Sequence, residues 1–144
     1  MKKTFVLIFV LLSVCLFSKD KPIYDDIKVS KILSVHDGDT FKVNINEFPP
    51  IIGENISIRV AKIDTPEINC KDPIIKKKAL LAKQFTEDFL KNAKEIVLKN
   101  PKRDKYFRIV AEVIADNKSL SAELIRNDLA LPYDGKKKPV WNRE

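Results

Sequence analysis

Five polar side chains at three places carry the reactive potential of this sequence. Asp39 stands in Val35-His36-Asp37-Gly38-Asp39-Thr40. Arg59, Asp64 and Glu67 stand in Ile58-Arg59-Val60-Ala61-Lys62-Ile63-Asp64-Thr65-Pro66-Glu67, and Arg108 closes Arg103-Asp104-Lys105-Tyr106-Phe107-Arg108. Two carboxylates can hold a hard cation, a third can handle a water, and two guanidiniums can neutralise a phosphate. That inventory suffices to hydrolyse a phosphodiester. Each residue also has a plainer reading. Asp39, and with better fit Asp37, can be a turn aspartate, and Asp-Gly-Asp lacks the alternating ligands of a calcium loop. Asp64-Thr65-Pro66-Glu67 follows an apolar strand, and Pro66 fixes the backbone. Its acids either present oxygen ligands or cap a helix. Arg59 and Arg108 are either solvated or phosphate-clamping, with Lys105 adding charge and Tyr106 a stacking face to the second.

The elements that must position these groups follow from periodicity. Lys28 to Val35 reads as a strand. Phe41, Val43 and Ile45 alternate with Lys42, Asn44 and Asn46, and Ile56, Ile58 and Val60 alternate again, which puts Arg59 on the opposite face. Phe48-Pro49-Pro50 and Gly53-Glu54-Asn55 break the chain between them. From about Lys76 to Ala93 the period becomes helical, with Leu81, Phe85 and Phe89 four apart and Ala82 and Ala93 on the same side. Glu95 to Lys99 and Phe107 to Ala115 read as strands joined by a basic turn. Ser119 or Asn117 caps a second helix, with Leu120, Leu124, Ile125 and Leu129 facing inward. Three strands, a helix, two strands and a helix predict an α+β fold: a small five-stranded barrel of the OB type with two packed helices. Any third, C-terminal helix is short or absent.

The chain carries 27 Lys and Arg against 20 Asp and Glu, a net charge of +7. A basic surface fits either general solubility or attraction to a polyanion. Lys2-Lys3 followed by an apolar run to Leu16 has the layout of a secretory signal peptide over residues 1–18, ahead of a single domain at 19–144. This predicts a secreted or periplasmic protein. An uncleaved membrane anchor is the alternative, because Leu16 is larger than the small residue preferred before a cleavage site. Val14 argues against lipidation at Cys15. Cys70 then remains as a single thiol, so no internal disulfide is available. One Cys and one His cannot complete a zinc cage.

Taken in order, the three motifs closely resemble those of the thermonuclease, or staphylococcal nuclease-like, family. Phe85-Thr86 through Ile96 and Glu123 through Ala130 extend the likeness into both helices. The resemblance covers residues 28 to 133. It implies an OB-type barrel and a Ca2+-dependent phosphodiesterase acting on DNA and RNA, in which the 5′ oxygen leaves and 3′-phosphorylated products form. By motif position, Asp39 and Asp64 are implied calcium ligands, with Thr65 giving its backbone carbonyl. Glu67 is implied to activate the water, Arg59 and Arg108 to bind the scissile phosphate, and Lys105, Tyr106 and Tyr133 to hold the flanking nucleotide. A monomer without a stable protein partner is expected. The sequence departs from the family at Phe107, which stands where glycine is usual, in the compact loop from Ile68 to Ile75, and in the short C-terminus. A rival reading is a non-catalytic nucleic-acid-binding OB module, although such a module has no need of all five polar groups.

Overall fold

The computed structural model describes residues 24–141, so the leader expected over residues 1–18 lies outside the described part. The elements are β1 (Ile27–Lys28), β2 (Lys31–Asp37), β3 (Thr40–Asn44), α1 (Pro50–Gly53), β4 (Ile56–Val60), β5 (Ile63–Asp64), α2 (Pro73–Lys91), β6 (Ile96–Arg103), β7 (Ile109–Ala115), β8 (Lys118–Ser119), α3 (Leu120–Arg126) and β9 (Leu131–Pro132). The sheet runs β1-β6-β7-β4-β3-β2, with β8 on β7. Its two ends belong to one bent segment. Ile27 pairs with Leu98 of β6. The Val29 N–H then donates to the Ile96 carbonyl at 2.9 Å and the Ser30 N–H to the Asn44 carbonyl at 2.9 Å. Counting β1 and β2 as one strand gives the five-stranded OB-type barrel expected from the pattern. β4 and β7 pair in parallel, with Arg59 opposite Val110.

Alternation supplies the core. Phe41, Val43, Ile58, Val60, Leu98 and Val113 point inward with almost no exposure. Each such side chain contributes roughly 1.5–3 kcal/mol on burial. Helix α2 starts earlier than the periodicity predicts. Asp72 caps it by accepting from the Ile74 and Ile75 N–H groups, and Pro73 takes the first turn, where a missing N–H costs nothing. Its buried stripe is Ala79, Ala82, Thr86 and Leu90, of which the periodicity placed only Ala82 inward. Phe85 and Phe89 stack at the margin, and Leu81 is exposed. Small residues are selected on the inner face because the helix lies close to the sheet. α3 is capped by Ser119 and buries Leu120 and Leu124, whereas Ile125 stays exposed. The turn of helix at α1 was not anticipated, since Pro49-Pro50 reads as a break. Pro50 in fact opens the helical turn. β7 begins at Ile109 rather than Phe107, because Phe107 and Arg108 belong to the preceding turn. Between β9 and Trp141 the described residues contain no helix, and no helix among them is long and apolar enough to cross a membrane.

Candidate active site

The β2–β3 turn and the β4–β5 segment bring the first acids together. Asp37 accepts the Asp39 N–H at 3.2 Å, so Asp37 is the turn aspartate, and the Asp39 carboxylate takes other partners. Burial pushes the Asp37 carboxyl above its ordinary range, against the pull of His36 and Arg59. Gly38 is required by proximity: a Cβ there would lie 2.7 Å from Ala82 Cβ and 2.8 Å from Thr65 Cγ2. The Thr86 hydroxyl donates to the Gly38 carbonyl at 2.7 Å, which ties α2 to this turn. Asp39 then accepts the Thr65 N–H at 2.8 Å, while its own carbonyl accepts the Val60 N–H at 2.8 Å.

Asp39 and Asp64 are each 1% exposed. They share one guanidinium. Arg59 Nη1 meets Asp39 Oδ1, and Arg59 Nη2 lies 3.3 Å from Asp64 Oδ1 and donates to the Ile63 carbonyl at 3.3 Å. Burial lowers the Arg59 pKa, and Asp64 opposes that shift. Two buried carboxylates on one cation form an oxygen-only donor set, which suits a hard divalent ion such as Ca2+. Among the described residues no three His, Cys, Asp or Glu side chains group into a complete metal cage. A cation here would therefore draw on Asp39, Asp64, a backbone oxygen such as that of Thr65, and solvent.

The turn before β7 is built around Asp104. Its Oδ1 accepts the N–H groups of Tyr106 at 2.8 Å and Arg108 at 3.0 Å, and its Oδ2 accepts from Arg108 Nε at 2.8 Å. Burial raises the Asp104 carboxyl, but these donors outweigh it and hold the group below its ordinary range. Phe107 has φ +62, in the left-handed region that glycine adopts without strain. The turn thus holds at Phe107 a backbone that a glycine adopts without strain, and Arg108 beside it is tied to Asp104. Arg103 covers the Phe107 ring at 3.9 Å and donates to the Phe107 carbonyl at 3.1 Å. Lys105 and Arg108 both lie over the exposed Tyr106 ring, at 4.9 and 5.2 Å.

Arg59, Arg108 and Tyr133 line one cleft of about 450 Å³, together with Lys62, Lys102 and Asp104. β9 sets the far wall: Leu131 pairs with Asp64, and the Tyr133 N–H donates to the Lys62 carbonyl at 2.9 Å. A larger cleft of about 520 Å³, lined by Tyr24, Phe48, Ile52 and Pro101, contains none of the candidate residues. Asp39, Arg59, Asp64 and Thr65 therefore form a contiguous group, and Arg108 and Tyr133 reach the adjoining cleft. Lys105 and Tyr106 sit on the exposed turn beside it. Glu67 is exposed and bonded to Lys138. Sequence reasoning missed Asp104, Thr86, Lys138 and Trp141. The Asp104–Arg108 spacing across a basic turn was the one available signal.

A family model for staphylococcal nuclease homologues matches residues 57–143. Endonuclease YncB of Bacillus subtilis (strain 168) is 34% identical over 103 residues, covering 65% of this chain and 43% of that protein. The SPbeta prophage-derived endonuclease YokF of the same strain is 35% identical over 103 residues, covering 65% of this chain and 30% of that protein. This chain spans less than half the length of either relative. The family match takes in β4 through β9, and with them Arg59, Asp64, Glu67 and Arg108. By that match the chain belongs to the staphylococcal nuclease homologues.

Proposed function

We propose that this chain is an exported, Ca2+-dependent nuclease that hydrolyses phosphodiester bonds of DNA and RNA to 3′-phosphorylated products, and that it works as a monomer. The observation that carries the reading is the pair of buried carboxylates, Asp39 and Asp64, gathered on Arg59 at the edge of a cleft shared with Arg108. Names of the relatives and the basic surface support a nucleic-acid substrate. The basic and apolar residues 1–18 support export.

In this reading Asp39, Asp64 and the Thr65 carbonyl hold Ca2+, which supplies neutralisation of a phosphate oxygen when bound. Arg59 and Arg108 bind the scissile phosphate with forked donors and stabilise the charge that builds there. Arg59 must release one carboxylate to do so. Glu67, exposed at the site's edge, takes the proton of the attacking water. Lys105, Tyr106 and Tyr133 hold the neighbouring nucleotide by charge and stacking.

The test is cleavage of DNA and RNA by purified protein in Ca2+ and in chelator, with end-group analysis of the products. Cleavage in Ca2+ that chelator abolishes is expected, and Glu67→Gln should bind substrate without cutting it. Undiminished cleavage in excess chelator removes the calcium assignment. Binding without cleavage under every metal condition favours the non-catalytic module instead.

A further inference from the structure

The chain beyond β9 does not leave the acidic centre. Pairing of Leu131 with Asp64 places the following segment beside that carboxylate. Lys138 then returns to bond Glu67 and lies 3.6 Å from Asp64 Oδ1. The Trp141 indole N–H donates to Asp64 Oδ2 at 3.2 Å, and Lys78 of α2 lies over the Trp141 ring at 5.5 Å. Arg59 already holds Asp64 Oδ1. Both oxygens of a carboxylate needed for a cation are thus occupied, one by a strand residue and both by the tail. Lys136 does not share this role, since it pairs locally with Asp134.

We propose that residues 136–141 form a latch that a divalent cation displaces: Lys138 and Trp141 occupy Asp64 and Glu67 in the free protein, and cation binding releases the tail and uncovers the site. The inference rests on the cation site proposed above. Lys138 is the natural member to yield, because its side chain is half-exposed and a pair at that exposure is weak, whereas Arg59 is anchored in β4. Glu67 leaves Lys138 at the same moment and becomes available to a water. The tail therefore couples cation occupancy to release of the water-activating acid.

Trp141 is the single tryptophan of the chain, so its emission reports the tail directly. The experiment titrates CaCl2 into the chelator-stripped full chain, following heat by calorimetry and Trp141 emission with acrylamide quenching. A saturable emission change with increased quenching is expected at the calorimetric midpoint. Lys138→Ala should bind Ca2+ about three- to tenfold more tightly, because a competing internal cation is gone. Lys138→Arg should restore the parent affinity. Emission that does not change at calorimetric saturation, or parental or weaker affinity in Lys138→Ala, overturns the latch and leaves the nuclease reading intact. Absence of any binding heat removes the cation site itself and the latch with it.

Discussion

Thr86 and Gly38, 48 positions apart, are joined by a buried hydrogen bond of 2.7 Å from hydroxyl to carbonyl. It docks the middle of α2 on the turn that presents Asp39. Thr86→Val preserves shape and leaves the Gly38 carbonyl without its donor, which should cost about 1–3 kcal/mol. Gly38→Ala should do more damage to the site, since the added methyl pushes against Ala82 and Thr65. Thermal unfolding should show both losses, and Ca2+ affinity should fall further in Gly38→Ala than in Thr86→Val.

Removing Arg59 leaves Asp39 and Asp64 buried side by side without their shared cation. Arg59→Ala should therefore lower stability in chelator by about 3–5 kcal/mol, as loss of one partner of a buried pair does. Millimolar Ca2+ should recover a large part of that loss, whereas it should stabilise the parent less. Turnover should stay low in either case, by on the order of 10²–10³-fold. Paired melting curves with and without Ca2+ decide the point: equal stabilisation of parent and variant would argue against a cation between these acids.

Phe107 occupies a left-handed backbone position, and its side chain is exposed. Phe107→Gly relieves that backbone cost but loses the Arg103 contact and gains chain entropy when unfolded. Stability should change by less than about 1 kcal/mol. Phe107→Val, β-branched, should cost about 1–2 kcal/mol and misdirect Arg108. If the valine variant cuts nucleic acid at the parent rate, the turn does not aim Arg108.

Asp104 carries a pH signature. Its folded carboxyl titrates below the unfolded value of 3.8. The stabilisation it gives is therefore complete above that unfolded value and is lost as pH falls through the lower folded one. Asp104→Asn should melt below the parent at pH 6, and the gap should close as pH drops beneath 3.8. At neutral pH the variant should also cleave more slowly, because Arg108 loses the acceptor at its Nε. A melting gap that widens on acidification would contradict the sign of this shift.

What the sequence made legible was whatever depends on local period. Alternation along Phe41–Ile45 and Ile56–Val60 marked the strands and put Arg59 on the outer face, where it is found. Motif spacing marked Asp39 and Asp64. Helical period located α2 and put Ala82 inward, but it also put Leu81 inward, since Leu81 is as apolar as a core residue while the close approach at Gly38 leaves room only for a small side chain at Ala82. Lys138 and Trp141 were opaque for a different reason. Their partners, Glu67, Asp64 and Lys78, are 60 or more positions away, and nothing in the pattern of a lysine-rich tail encodes such a meeting. Phe107 looked like a disruption because the sign of φ is invisible in residue type.

The closure of the barrel on its own first strand bears on when the chemistry can exist. Ile27 waits for Leu98, and Asp64 waits for Leu131, before either has its sheet partner. Contacts this distant in sequence must overcome large loop-closure entropy, and they form late and together. A chain still being synthesised holds Asp64 before Leu131 exists to pair with it. Whatever reactivity the assembled molecule possesses therefore appears only once β9 has joined β5.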